Sequence, residues 1–498
     1  MLQKSSDWLK NNWIYLAVFI VLLFLRLGAI ENNQTLYYDD AASLICSTPN
    51  NVYGNSKKYK YENEDWRGIW LQSGKTYNVL EIKKALIESK SDIKSICKDL
   101  ITLHNKTLDP QHPNLYYSIL RVWTAGMDYS EINAIKWRGC SLNLIFFTFS
   151  YFFMFKLLNL IKPEKKFIAL GLFFAFVTTG TISNTLLIRP YPLMETFFIF
   201  ALYLFLVLFN LAGKNTTLTK KRIILYGLGL GTFFLTGYYS LFLGAFILIA
   251  MLYRCLALKD TKFLKQCLLI FGIAFVFVYL FCPLYFSNFT DNYHMYETKN
   301  AANFWNFSSF RSYGVFLFNY LSKFIFNNAV FFMILLVLYI IGVPVLNNNI
   351  LKENETRNLS ITVVTAFSWA YLICTIAPAH NFATVRYIIP AFPILGLVLA
   401  YIVYHLRILY VVFIIFITLI TTAIPIFSDI NANNSKYKCL GHMTYFTKNI
   451  HFNHNAEIYY SNNNEKRTTI ILKNDGTWPF NLLHLKNNNT VRLEDKSH

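Results

Sequence analysis

The stretch WIYLAVFIVLLFLRLGAIENNQTLYYDDAASLI (13–45) sets a long apolar run almost directly against an acidic pair, Asp39 and Asp40. Residues 13–30 suffice, as a helix, to approach or span a hydrocarbon core of about 30 Å. A helix is required because lipid offers no partner to an open backbone. The run is longer than an ordinary signal-peptide core, and no A-x-A-like site follows it, so it reads as a retained anchor. VVFIIFITLITTAIPIF (411–427) repeats the pattern far along the chain. Hydrophobic residues make up 55% of the 498 residues and charged ones 15%, against about a quarter charged in soluble domains. The class is therefore a polytopic membrane protein. Its 46 Phe and 33 Tyr suit helix packing and interfacial belts.

About eleven apolar spans are predicted: 13–30, 138–160, 167–183, 190–212, 223–237, 239–257, 267–286, 328–346, 359–378, 387–405 and 408–427. The short loops KPEKK (162–166), GKNTTLTKKR (213–222), RCLALKDTKFLK (254–265) and LKENETR (351–357) are basic, which places them on the cytoplasmic side. The long loop 31–137 then faces out, together with 184–189, 237–239, 287–327, 379–386 and the tail. A loop of that length is usually functional. Within it, 81–104 reads as an amphipathic helix and 114–123 as another at the interface; 312–326 reads likewise. The chain divides into a membrane module (1–430) and an extracytoplasmic tail (431–498), in which EIYYS and TTIILK look strand-like. The net charge of +19 is scattered over loops and ends, which suits anionic lipid and phosphate head groups and not nucleic acid. Eight cysteines form no CxxC pattern; Cys46 and Cys97 share the first loop, where an oxidising compartment would let them pair.

Polar groups recur at the outward span ends: Asp39 and Asp40; His112 in HPNLYYSILRVW; Lys136 and Arg138 in KWRG; Arg189 in LIRPYPLMETF; Tyr238 and Tyr239 in TGYYSLF; and His380, Arg386 and Tyr387 in HNFATVRYIIPAFP. Charge near a bilayer core needs a partner or a task. A carboxylate suits a general base, and several Arg suit a phosphate, since the guanidinium is a planar fork that stays charged. That inventory fits sugar transfer from a polyprenyl-phosphate donor. The bland readings are a helix-start cap for the acidic pair, a hydrogen-bonded His before a helix, and head-group anchors for Arg138 and Arg189. Lys136 reads as snorkelling, His380 as interfacial, and Tyr238 and Tyr239 as packing. Glu195, inside an apolar run, reads as neutralising a nearby Arg.

In the order of these motifs the chain resembles the GT-C membrane glycosyltransferases of the family-39 type, which include protein O-mannosyltransferases and lipid A aminoarabinose transferases. The pieces are YYDDAASL (37–44), HPNLYY (112–117), the Arg of WRGCSLNLIFF (137–147), RPYPLMETFFIFALYLF (189–205), TGYYSLFL (236–243) and RYIIPAFP (386–393). The resemblance implies an all-α GT-C fold and inverting transfer, with Asp39 as base and Asp40 as the second acidic position. It implies substrate or phosphate contacts at His112, Arg138, Arg189, Arg386 and Tyr387. The chain departs from the pattern at Asp40, where Glu is usual, at Asn114, where Pro is common, and at Gly237, where His is common.

The expected partners are a lipid-linked sugar donor, membrane lipids and a hydroxyl acceptor on a protein, glycolipid or polymer. The expected location is a bacterial cytoplasmic membrane with the site facing out. No cofactor is implied. Two Asp and a distant His would suffice for Mg²⁺, which needs few protein ligands, but the resemblance calls for no metal. The competing classes are a lipid-linked sugar transporter, which would show midplane charges and inverted repeats, and a surface polysaccharide polymerase or ligase.

Overall fold

A computed structural model describes residues 2–32, 36, 38–51, 76–106, 109, 112–214, 216–289, 307–324, 353–376, 386–427, 469–473 and 490–494. Seven helices are long and apolar enough to cross a membrane: Asn12–Asn32, Ile132–Ile161, Tyr191–Leu211, Ser240–Ala257, Thr261–Phe281, Glu353–Ile376 and Arg386–Tyr404. Lys165–Phe176 and Thr179–Leu186, bent by 56°, make an eighth if counted as one span. The chain is a helical integral membrane protein. The predicted span at 223–237 falls short: it is Lys220–Phe234, a helix of 15 residues that begins with Lys, Lys and Arg. The predicted span at 408–427 is the helix Ile408–Phe427, 20 residues long. The predicted span at 328–346 lies outside the described residues.

The helices that carry the argument are α1 (Leu2–Asn32), α2 (Tyr38–Ser47), α3 (Val79–Ile87), α4 (Ile93–Asn105), α5 (Leu115–Trp123), α6 (Ile132–Ile161), α7 (Lys165–Phe176), α8 (Thr179–Leu186), α9 (Tyr191–Leu211), α10 (Lys220–Phe234), α11 (Ser240–Ala257) and α12 (Thr261–Phe281). Side-chain caps start several of them by satisfying the first free N–H groups. Thr178 accepts from Thr181 N, and Asp260 from Phe263 N. Asp260 also accepts from Gly213 N at 3.0 Å, where Gly213 turns the chain at φ +81°.

Contacts sort the helix ends into two groups. At one end, Lys162 Nζ lies 3.1 Å from Glu355 Oε2, and Tyr404 donates to Glu164 Oε2 at 2.6 Å. At the other, α2 meets the α8–α9 connection, His104 of α4 donates to Leu280 O at the end of α12, and Tyr239 packs on Tyr387.

The loop between α1 and α6 folds on itself. The single amphipathic helix predicted over 81–104 is two, α3 and α4, because Asp92 caps α4 afresh by accepting from Ser95 N at 2.8 Å. The predicted interfacial helix at 114–123 is α5, whose Tyr116, Tyr117 and Leu120 are fully buried. Arg121, 1% exposed, donates to Asp99 Oδ2 (2.5 Å), Ser89 Oγ (2.9 Å) and Lys90 O (2.9 Å). Asp99 in turn accepts from Asn50 Nδ2 at 2.7 Å. One ion pair thus ties the end of α2 to α4 and α5. Cys46 is buried and Cys97 exposed, and both are free.

The tail returns to this loop. Thr469–Lys473, which contains most of TTIILK, pairs in parallel with Thr490–Glu494, and the latter pairs antiparallel with Thr76–Asn78 just before α3. The sheet therefore spans the boundary drawn at residue 430. EIYYS lies outside the described residues.

Removing one partner of a buried ion pair strands the other charge at a cost of about 3–5 kcal/mol. Asp99→Ala is expected to lower the unfolding temperature of the purified protein, and Asp99→Asn to lower it less because the amide still accepts from Arg121. Thermal unfolding in detergent checks this; a wild-type transition for Asp99→Ala would refute it.

Candidate active site

Asp39 and Asp40 occupy the first turn of α2, where the helix N-terminus favours negative charge. The capping reading of the pair is thus part of its place, but the two carboxylates face different partners. Asp40, 2% exposed, accepts the Ile188 N–H at 2.7 Å and so ties α2 to the connection between α8 and α9. Asp39 forms an ion pair with Arg386 Nη1, which starts the span 347 residues later. Arg386 also donates to the Tyr387 hydroxyl at 3.2 Å.

Arg189, 5% exposed, sits in the α8–α9 connection. Its Nη1 lies 3.4 Å from Ser43 Oγ and 3.7 Å from Asp109 Oδ2. Asp109 is the centre of the second half of the cluster: Oδ2 also accepts from Tyr117 OH at 2.6 Å and from His112 Nδ1 at 3.0 Å. Aromatic rings join the halves. His112 meets Tyr191 edge-on at 6.3 Å, Tyr191 meets Tyr387 at 5.9 Å, and Tyr387 meets Tyr239 at 5.2 Å. The Tyr191 hydroxyl and the Nε atoms of Arg189 and Arg386 are buried and find no partner among the described residues. These are donors left for another group.

The electrostatics follow from this packing. Burial pushes the Asp109 carboxyl up, but His112, Arg189 and Tyr117 together outweigh it and hold Asp109 well below the usual carboxylate range. Burial lowers the His112 pKa, and the charges of Arg189 and Arg386 reinforce that against the pull of Asp109. His112 is thus a neutral imidazole at neutral pH. Since an ionised Asp109 only accepts, Nδ1 carries the proton and Nε2 keeps a free lone pair. Burial would lower the Arg189 pKa, but Asp39 first, then Tyr117, Tyr191 and Asp109, raise it well above the ordinary value. Asp39 and Asp109 therefore act on one guanidinium.

Of the residues read from the sequence, Asp39, Asp40, His112, Arg189, Arg386 and Tyr387 come together. Arg138 does not. It is exposed, donates to Trp123 O at 2.7 Å and stacks its guanidinium over the Trp123 ring, so it anchors α6 to α5. Lys136 is buried instead of reaching outward. Glu195, expected to neutralise a nearby Arg, is buried and accepts from Asn184 Nδ2 at 2.9 Å. His380 lies outside the described residues. Asp109 was not anticipated; its signal was an acid three residues before the His in DPQHP. Among the described residues no three His, Cys, Asp or Glu side chains gather as metal ligands.

Comparison with known protein families, with curated proteins and with solved structures finds no match to this chain.

The lowered His112 pKa makes a pH prediction. The unfolded chain takes up a proton near pH 6.5, while the folded site does so only at lower pH. Between those values the unfolded state binds more protons, so stability is full above about pH 6.5 and declines as pH falls through the folded value. Asp109 adds a second loss of the same sign below the usual carboxylate range. Unfolding temperatures measured from pH 7.5 to 5 are expected to fall, and His112→Gln is expected to flatten that decline. An unchanged slope in the variant would count against the assignment.

Proposed function

We propose that this chain is a GT-C type glycosyltransferase of the family-39 kind, moving a sugar from a polyprenyl-phosphate donor to a hydroxyl acceptor. The observation that carries the reading is the meeting of Asp39 with Arg386 beside the buried Arg189, drawn from three distant segments to one end of the bundle. With the orientation read from the basic loops, that end faces outward from a bacterial cytoplasmic membrane. The donor's lipid chain lies along the helices while its phosphate reaches Arg386 and Arg189. No cofactor enters this scheme.

In this mechanism Asp39 takes the proton of the acceptor hydroxyl. The acceptor oxygen attacks the anomeric carbon from the face opposite the phosphate. The carbon–oxygen bond to the phosphate breaks, and its electron pair goes to the phosphate oxygen. Arg386 and Arg189 stabilise the charge that develops there, with donors aimed in advance. No covalent sugar–protein species forms, and configuration inverts. Asp40 holds the Ile188 N–H and so shapes the site instead of acting as base. His112, oriented by Asp109, contributes an acceptor at Nε2 for a sugar or acceptor hydroxyl. The acceptor is a protein, glycolipid or polymer hydroxyl.

One observation favours the transporter reading: a broken span with buried Arg26 and Glu195, a pattern found at transport sites. Both side chains are closely packed, at 0% and 4% exposure, which supports a structural role for them.

General-base removal costs about 10²–10⁴-fold in rate. Asp39→Asn is expected to reduce sugar transfer by purified protein from a synthetic polyprenyl-phosphate sugar by about a hundredfold or more, with Asp40→Asn less severe. Donor translocation in proteoliposomes unaffected by Asp39→Asn would favour the transporter. Transfer at the wild-type rate in Asp39→Asn would refute the base assignment, and addition of repeating units instead of one sugar would favour the polymerase.

A further inference from the structure

Two buried ionisable side chains, Arg26 and Glu195, lie outside the cluster just described. The bent pair α7–α8 opens its backbone at 177–178, where both residues are buried and freed carbonyls need partners. Two other elements and α8 itself close that opening. Arg26 of α1, fully buried, donates from Nη2 to Phe176 O at 3.1 Å and from Nη1 to its own Leu22 O at 3.1 Å. Its guanidinium lies over the Phe147 ring of α6, 3.8 Å from the centroid. A cation at the last carbonyls of α7 also opposes the helix dipole there. Thr181 donates to the same Phe176 carbonyl at 3.0 Å, and Thr422 to Val177 O at 3.4 Å. Gly396 comes so close that a Cβ there would sit 2.5 Å from Phe174 O.

The second half of the break, α8, is held from its far side. Glu195 of α9 is 4% exposed and accepts from Asn184 Nδ2 at 2.9 Å. Immediately beyond Asn184 the chain enters the site. Asn143 of α6 donates to Thr185 O (3.0 Å) and Leu187 O (2.7 Å). The Ile188 side chain fills the space that a Cβ at Gly139 would take, 2.3 Å away. The Ile188 N–H then meets Asp40, and the next residue is Arg189.

We infer that Glu195 is a positioning residue: its hydrogen bond to Asn184 sets the 187–190 connection so that Ile188 meets Asp40 and Arg189 meets Asp109. Glu195 touches none of the Asp39–Arg386 or Asp109–His112 groups itself. The consequence for donor affinity rests on the proposed glycosyltransferase reading; the consequence for the connection does not.

The test uses the full chain in nanodiscs, with Glu195→Leu, Asn184→Ala and Glu195→Gln. Hydrogen exchange is read on peptides covering 185–189, with α10 and α12 as internal controls. Glu195→Leu and Asn184→Ala are expected to raise exchange at 185–189 about tenfold or more while the controls hold. Glu195→Gln, which still offers an oxygen to Asn184, is expected to stay near wild type. Because small displacements at a distance degrade positioning, the donor KM is expected to rise about tenfold in the first two variants with kcat little changed. Unchanged exchange at 185–189 in both folded variants overturns the inference, and so does Glu195→Gln behaving like Glu195→Leu. If Glu195→Leu does not fold, Asn184→Ala, which removes no charge, decides. Raised exchange with no sugar transfer by the wild-type protein leaves the positioning role standing and removes the proposed reaction.

Discussion

A helix that breaks while buried among apolar helices must satisfy the backbone it frees, and the rest of this structure depends on that requirement at residues 177–178. Unpaired buried carbonyls cost several kcal/mol each. The chain meets the cost with Arg26, Thr181 and Thr422, contributed by the first span, by α8 itself and by the helix Ile408–Phe427. Because Arg26 and Thr422 are far apart in sequence, the break also joins the first span to the helix Ile408–Phe427. Its gain is a short buried helix, α8, whose exit delivers Ile188 and Arg189 to the acidic pair at the start of α2.

The same economy of charge governs the site. Two cations, Arg189 and Arg386, are matched by two carboxylates, Asp39 and Asp109, while His112 stays neutral. A set that balances this way is stable without solvent and still leaves guanidinium N–H groups to receive an anionic ligand. The division between Asp39 and Asp40 follows from their neighbours. One faces an Arg side chain that an anionic ligand can compete for, the other a backbone amide. On the proposed reading, that separates a reacting carboxylate from a supporting one.

Much of this was legible in the chain itself. Polar residues at span ends stand out because lipid tolerates few of them, so Asp39, Asp40, His112, Arg189, Arg386 and Tyr387 were found as exceptions to an apolar pattern. Asp109 escaped because it sits in a long polar loop, where one more acid is unremarkable by composition. Arg138 was misplaced for the converse reason. A cation at a span mouth looks the same in sequence whether it turns inward to a site or outward to Trp123. The helix predicted over 81–104 became two because Asp92 satisfies the first amides of α4, a local competition that periodicity does not register.

By itself, then, the sequence determined the helical membrane class, most of the spans and the residue types gathered at one end of the bundle. Each follows from hydrophobic length and from the cost of charge in lipid, and both are properties of short windows. Only the tertiary structure decided which Arg meets which carboxylate, that Asp109 organises His112, and that Glu195 meets Asn184. Those pairings join residues up to 347 positions apart. They are chosen by how helices pack and where one of them breaks, and no local window carries that information.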